Sequence, residues 1–152
     1  THLKNLKIRC ICVGNQFNNN EIKLFERLNV SRFFVHTFAT DNFLAELYTS
    51  VDLFVYPSRY EGFGFPILEA MHFKCPVLAS SIPSSIEIGQ SFSFYFDTNS
   101  SASLTKEILN FKDFLSNDNS NYFIEKAFRH SKSFTWRNTS LSTLKVYTNI
   151  AQ

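Results

Sequence analysis

Short apolar runs separated by segments with helical spacing constrain the fold of this chain more than any other feature. Five such runs end in turn-forming residues, as buried strands do. They comprise residues 6–13, 32–36, 53–56, 76–79 and 92–96. Their alternation with helical segments predicts an α/β fold, in which a Rossmann-like parallel sheet is covered by helices on both faces.

The predicted helices have recognisable starts. Residues 21–28 form the first, and Asp41 caps the second, whose apolar face consists of Leu44, Leu47, Tyr48 and Val51. Pro66 suits the first turn of a third helix that ends near His72. The serine-rich residues 80–85 are predicted to form a loop.

The C-terminal part is predicted to hold three more helices. Residues 97–101 cap the first of these, which carries Leu104, Ile108, Phe111 and Leu115 on one face. Residues 116–121 form a polar break before the second. Ser133 or Thr135 caps the last helix, which runs to Ile150.

Size and charge exclude several classes of protein. With 152 residues, of which 44% are hydrophobic, the chain suits one domain with one core. A formal net charge of +2 gives no electrostatic footprint for nucleic acid. The longest apolar windows fall short of the roughly 20 residues that a membrane span needs, and residues 1–4 lack the form of a signal peptide. These features predict a cytoplasmic domain.

Metal and redox chemistry find little support in the sequence. Cys10 and Cys12 have neither zinc-ligand nor redox spacing, and strand alternation places both on one face. They are interpreted as small buried hydrophobic residues in a reducing cytosol. No pair of histidines has metal-ligand spacing with Asp or Glu, so no metal and no cofactor are expected.

Residues 60–71, with the sequence YEGFGFPILEAM, carry the chemistry. Gly62 and Gly64 let a backbone come close to a ligand, and the helix that follows offers unpaired N–H groups to an anion. Glu61 and Glu69 supply carboxylates that accept hydrogen bonds from hydroxyls. Glu69 is expected to pack inward, because Leu68, Ala70 and Met71 surround it. Phosphate and hydroxyl recognition together describe a nucleotide sugar.

Four loops are expected to meet at one edge of the sheet. Ligands of parallel sheets bind at the carboxyl ends of the strands. Residues 14–17, 37–40, 61–65 and 80–85 all follow a predicted strand. The sequence therefore predicts one contiguous crevice built from these loops.

Several stretches resemble the retaining GT-B glycosyltransferases of group 1, which include glycogen synthases, sucrose synthases and many bacterial mannosyl- and glucosyltransferases. The resemblance rests on residues 52–58 (DLFVYPS), 60–71 and 75–80 (CPVLAS). It extends to residues 45–48 (AELY), Glu87, residues 95–97 (YFD) and 134–136 (FTW), and Val146-Tyr147. It implies that residues 1–152 form a single, partial Rossmann-like donor-binding domain, one half of a GT-B fold.

The resemblance also implies roles for single residues. Glu61 would act at the catalytic centre by contacting hydroxyls of the transferred sugar, and Glu69 would bind the ribose diol. Backbone near Thr37 and Phe38 would read the base. The remaining donor-binding residues would be Ser58, Gly62, Phe63, Gly64, Phe65 and Leu68, and the glycine-rich part would offer backbone to sugar and phosphate.

The chain departs from the family pattern at its start. Family domains begin with an earlier strand and a loop whose Arg and Lys neutralise the departing diphosphate, and an N-terminal domain binds the acceptor. Neither precedes residue 6 here. The chain is therefore expected to be a fragment of a hexosyltransferase, unable to turn over efficiently alone. Thr37, before the helix that Asp41 caps, and Lys74, before Cys75, stand where the family commonly has glycine, and Phe65 of the motif replaces a common leucine.

The implied function is transfer of a hexose from a nucleoside diphosphate sugar to a glycan or lipid-linked acceptor, which the missing domain would bind. Full-length enzyme is expected in the cytoplasm or at the inner face of the membrane. The nucleotide, sugar, acceptor, linkage and oligomeric state stay open. The alternative is a non-catalytic binding or interaction module that retains the fold. A nicotinamide oxidoreductase or a serine hydrolase is disfavoured, because neither G-x-G-x-x-G after the first strand nor G-x-S-x-G occurs.

Overall fold

The structure is a computed structural model that describes residues 8–150. Its strands are β1 (Cys10–Val13), β2 (Phe34–Thr37), β3 (Phe54–Tyr56), β4 (Val77–Ser80) and β5 (Phe94–Phe96). Its helices are α1 (Asn19–Arg27), α2 (Asp41–Ser50), α3 (Phe65–His72), α4 (Pro83–Gly89), α5 (Ser101–Leu115), α6 (Ser120–Ser131) and α7 (Trp136–Ile150). Single 3₁₀ turns at Ser31–Phe33 and Gln90–Phe92 precede β2 and β5.

The chain divides into two compact units, with the boundary between Leu44 and Ala45. In the first unit β1 pairs with β2, and in the second the strand order is β3-β4-β5. Both pairings of the second sheet and the single pairing of the first are parallel. The predicted α/β class, with parallel strands and helices on both sides, is confirmed.

In the first unit, the turn after β1 explains its glycine. Gly14 has a φ of 132°, which only glycine adopts without strain. Its carbonyl oxygen lies 2.6 Å from Nε2 of His36, so His36 is a hydrogen-bonded structural residue. Cys10 and Cys12 share one face of β1, as predicted, but are half-buried rather than fully buried. Burial raises the pKa of both thiols.

The core of the second unit lies between β4 and α3. All four residues of β4 are buried, as expected for the central strand of a covered parallel sheet. Helix α3 buries Ile67, Leu68, Ala70 and Met71 and packs against α4, α6 and the strands β3 and β4. Each large apolar side chain buried in this way contributes about 1.5–3 kcal/mol. This packing fixes the helix that carries the motif.

Phenylalanine rings build a second part of the core beside β5. Phe94 makes edge or tilted contacts with Phe111, Phe114 and Phe123, at centroid distances of 5.7, 5.1 and 5.4 Å. Such geometries are favourable for aromatic pairs. They attach α5 and α6 to the sheet. Leu115, predicted on the same face, is exposed at the helix end.

Several predicted boundaries need correction. Residues 80–85 do not form a simple loop: Pro83 begins the seven-residue helix α4, because its fixed φ suits a first helical turn. Thr40, rather than Asp41, caps α2 through the N–H of Phe43. Strand β1 begins at Cys10, and the first two residues of the predicted run lie outside the described residues. The caps Ser100 and Thr135 are confirmed.

Lys74 lies after the end of α3, at a position where glycine is the favoured residue. Its φ is 59°, a left-handed conformation that costs most residues energy. Its ammonium group pairs with Glu125 on α6 and lies 5.0 Å from the centre of the Phe128 ring. These contacts with α6 offset part of the backbone strain.

Candidate functional site

The loop between β3 and α3 is shaped by its last residue. Gly64 has φ 103° and ψ 41° and precedes the first residue of α3. Its carbonyl accepts a hydrogen bond from the N–H of Ile67 at 3.0 Å. Pro66 lies in the first turn, as predicted. The left-handed glycine and the proline together set the direction in which α3 leaves the sheet.

The same loop lies at the carboxyl edge of the second sheet. Tyr56, the last residue of β3, is opposite Ala79 of β4. The buried hydroxyl of Ser80 lies 3.4 Å from the Tyr56 carbonyl and ties the two strand ends together. The predicted position of the motif at a strand end is confirmed.

Glu61 is held by the hydroxyl group of Ser58. Ser58 Oγ lies 2.7 Å from Glu61 Oε1 and 3.1 Å from the backbone oxygen of Tyr60. Hydrogen bonds from Tyr56 and then Ser58 lower the pKa of Glu61. The carboxylate therefore stays ionised and pointed in a defined direction at neutral pH. A fixed carboxylate of this kind suits recognition of hydroxyl groups.

Glu69 differs from its prediction. Helix α3 turns its apolar residues inward, but Glu69 itself is exposed, because helical spacing places it on the opposite face. Its Oε2 accepts a hydrogen bond from the Tyr48 hydroxyl at 3.4 Å. Burial is the main cause of the raised pKa of Tyr56, followed by the hydrogen bond and charge of Glu61 and then by the charge of Glu69, so both carboxylates act on that phenol.

The glycine-rich segment between the two carboxylates is open. A Cβ atom on Gly62 would meet no atom within 4 Å, so neither packing nor a left-handed φ demands glycine there. Phe63 and Phe65, 38% and 59% exposed, stack at a tilt 4.7 Å apart and form an apolar rim. Leu68 is buried in the core, and its predicted part in donor binding stays a prediction.

Thr37 and Phe38 belong to the first unit, at the carboxyl end of β2. The Thr37 hydroxyl donates to the carbonyl of Phe38 at 3.1 Å, and the Phe38 ring is 65% exposed. Their role in reading a base stays a prediction, as does a crevice that includes the loops of both units.

Sequence reasoning missed two residues, Tyr48 and Tyr56. Tyr48 appeared only as part of an apolar helix face, and Tyr56 only as the end of a strand. The available signal was chemical, since a buried tyrosine hydroxyl needs a hydrogen-bond partner. In the structure, the Tyr48 hydroxyl donates to Glu69, and a hydrogen bond from Tyr56 lowers the pKa of Glu61.

A pocket of about 340 Å³ lies elsewhere, next to the 3₁₀ turn that precedes β5. It is therefore at the amino edge of the sheet, opposite the motif. Its walls are mainly the rings of Phe92, Phe114, Tyr122 and Phe123. None of its lining residues is a carboxylate, so its chemistry differs from that of the motif.

The part of the chain that the structure describes holds neither a metal-ligand cluster nor a membrane-spanning helix. No three His, Cys, Asp or Glu side chains in residues 8–150 are grouped so that they could hold a metal ion. Among the helices described, none combines the length and apolar character needed to cross a bilayer. The expectation that no metal is required stays a prediction.

Sequence comparisons show that this chain is similar to glycosyltransferases. The family described as "Glycosyl transferases group 1" matches residues 1–130. O-antigen chain mannosyltransferase B of Escherichia coli is 33% identical over 111 residues, which are 72% of this chain and 28% of the relative. O-antigen biosynthesis glycosyltransferase WclY of Escherichia coli is 31% identical over 68% of this chain and 30% of its own length. The chain thus spans less than a third of these relatives.

Solved structures agree on the fold. A glycosyltransferase from Rickettsia africae ESF-5 superposes with a TM-score of 0.82 and 22% identity, covering 99% of this chain and 42% of that one. Anabaena Alr3699/HepE, solved in complex with UDP, gives a TM-score of 0.74 at 18% identity, covering 96% of this chain and 42% of its own. Together with residues 60–71, these matches show that the chain belongs to the group 1 glycosyltransferases and corresponds to their C-terminal, Rossmann-like GT-B domain.

Proposed function

We propose that this chain is the donor-binding part of a retaining hexosyltransferase that uses a nucleoside diphosphate sugar. The observation that carries the proposal is the arrangement of Glu61 and Glu69. They flank the open glycine segment at the carboxyl edge of the sheet, and a hydroxyl group fixes each. Two fixed carboxylates beside an accessible backbone suit a ligand that has two sets of hydroxyls with phosphate between them.

The proposed roles follow from this arrangement. Glu61, in the loop, contacts hydroxyls of the transferred sugar, and Glu69, on α3, binds the ribose diol. Backbone of residues 62–65 approaches the sugar and the diphosphate where the space above Gly62 is free. The start of α3 favours the negative charge of the diphosphate.

Mannose is the hexose that the relatives favour. O-antigen chain mannosyltransferase B and the serotype-specific mannosyltransferase WbdA, both from Escherichia coli, carry that activity in their names. The acceptor is proposed to be a glycan or a lipid-linked glycan of a surface polysaccharide. Because this chain spans 28% of the first relative, acceptor binding and transfer are assigned to the full-length protein. Residues 1–152 alone are proposed to bind donor without efficient turnover.

Isothermal titration of the full-length protein tests the proposal. GDP-mannose, UDP-glucose and ADP-glucose are compared with the free diphosphates GDP, UDP and ADP. We expect Glu69→Ala to weaken a diphosphate and its sugar conjugate equally, and Glu61→Ala to weaken only the sugar conjugate. Glu125→Ala is the matched control, because Glu125 pairs with Lys74 before β4, at the other edge of the sheet.

The outcomes separate the alternatives. Absence of binding to all six ligands would refute the proposal and favour a non-catalytic module. Equal losses in both variants for both ligands would refute the assignment of one carboxylate to the sugar and one to the ribose. For the retaining mechanism, NMR of the first product should show the same anomeric configuration as the donor, and an inverted product would contradict it.

A further inference from the structure

Tyr48 is a buried residue with an immobilised ring. Its side chain is 5% exposed. The ring meets Phe54 edge-on at 5.2 Å and lies nearly parallel to Phe73 at 6.1 Å. These contacts join α2, β3 and the residue that follows α3. The position of the Tyr48 hydroxyl is consequently fixed by the core.

That hydroxyl makes one side-chain hydrogen bond among the described residues, to Oε2 of Glu69. The two residues are 21 positions apart, so the bond depends on tertiary packing. Burial, followed by the charge of Glu69, raises the pKa of Tyr48, and the phenol remains a donor at neutral pH. A long exposed side chain such as Glu69 would otherwise sample several rotamers.

We propose that Tyr48 is a positioning residue, which holds Oε2 of Glu69 so that Oε1 is directed at the ribose diol of the donor. The inference rests on the proposed function, because it requires Glu69 to bind ribose. It adds a group that never touches the ligand. Fixing the carboxylate before binding removes an ordering cost that the ligand would otherwise carry.

Tyr95 provides a matched control within the same unit. Tyr95 is half-buried, and its hydroxyl donates to backbone oxygens, that of Gln90 at 2.8 Å and that of Ser85 at 3.3 Å. Tyr48→Phe and Tyr95→Phe therefore each delete one hydrogen-bonded phenol oxygen from the same unit. Only the first deletion removes a bond to the motif.

The experiment measures dissociation constants for the full-length protein with two ligands. One is whichever of GDP, UDP and ADP the wild type binds, and the other is its 2′,3′-dideoxy form. We expect wild type to prefer the ribose form by about tenfold. Tyr48→Phe should lose most of this preference by weakening the ribose form alone. Tyr95→Phe should keep the preference intact, even if its thermal midpoint falls.

Each result has a distinct meaning. If Tyr48→Phe lowers the thermal midpoint but keeps the wild-type preference, Tyr48 is merely structural and the inference is wrong. If both ligands weaken equally in Tyr48→Phe, the effect is on the whole site and the inference is also wrong. A double variant with Glu69→Ala should lose no more preference than Glu69→Ala alone. A wild type that binds none of the diphosphates overturns the proposed function and the inference with it.

Discussion

Two turns of the second unit use glycine, serine and tyrosine for opposite purposes. The open loop, residues 57–64, follows β3, whereas the filled turn, residues 89–93, precedes β5. In the open loop, Gly62 has free space above it. In the filled turn, a Cβ on Gly89 would lie 2.5 Å from the Tyr95 hydroxyl and 2.6 Å from Ser93 Oγ.

The two turns differ in the groups that accept hydrogen bonds from their hydroxyls. Ser58 of the open loop directs its hydroxyl at the carboxylate of Glu61, and a hydrogen bond from Tyr56, the last residue of β3, lowers the pKa of that carboxyl. At the filled turn, Tyr95 of β5 donates to the backbone carbonyl of Gln90, and Ser93 Oγ is buried without a hydrogen-bond partner among the described residues. A hydroxyl that orients an accessible carboxylate prepares a binding site, whereas a hydroxyl that donates to a backbone carbonyl stabilises a turn.

The largest predicted difference between the turns concerns alanine at their glycines. Gly89→Ala should destabilise the protein by about 1–3 kcal/mol, because the methyl group overpacks against Tyr95 and Ser93. Gly62→Ala should change the free energy of unfolding by less than about 0.5 kcal/mol. Urea unfolding of both variants measures the two values.

For donor binding, we expect the larger effect in Gly62→Ala and the smaller effect in Gly89→Ala. Gly62→Ala should weaken donor binding, since its methyl group enters the space proposed for the sugar and diphosphate, and Gly89→Ala should leave donor affinity unchanged in the folded fraction. An unaltered donor affinity in Gly62→Ala would contradict the view that the open loop is kept open for a ligand.

A smaller effect is expected at Gly64, where conformation rather than space is limiting. An added Cβ would make an ordinary 3.5 Å contact with Ile67, but φ is 103°. Gly64→Ala should therefore cost about 1–2 kcal/mol. Gly64→Asn is the conservative comparison, since asparagine tolerates positive φ better, and it should recover part of the loss in urea unfolding. Equal losses in both variants would argue against backbone strain as the cause.

The smallest predicted effect is a pH-dependent loss of stability in a variant of the open loop. The pKa of Glu61 is lowered from 4.5 in the folded state, so its contribution to stability is present above that value. It is lost as the pH falls through the lower folded pKa. Ser58→Ala should therefore destabilise at about pH 6 and less at about pH 3. The loss of stability in Gly89→Ala should not change over this range. The residue that its methyl group contacts, Tyr95, has a pKa raised by burial, so the phenol stays neutral at acidic pH.

Much of the fold was predictable because the decisive signals are local. Apolar runs marked all five strands, and Pro66 together with Gly64 marked the start of α3. The errors came where local signals compete. Serines suggested a loop where Pro83 begins α4, and apolar neighbours suggested burial for Glu69, which the helix turns outward.

The two carboxylates of the candidate site were predictable, but the residues that hydrogen-bond to them were not. Residues 60–71 identify Glu61 and Glu69 because glycine, proline and acid lie within one short segment. Tyr48 reaches Glu69 from another helix, and no spacing along the chain encodes that contact. Long-range side-chain partners depend on how α2 and α3 pack across β3.

The sequence by itself determined the order of the strands along the chain, every helix but α4, the family and the two acidic residues of the motif. Only the tertiary structure decided which oxygen accepts each hydroxyl hydrogen bond, and which glycine has free space beside it and which has none. The physical reason is that periodicity and turn chemistry act between neighbours in the chain. Hydrogen-bond direction and free volume arise only when separate elements are brought together.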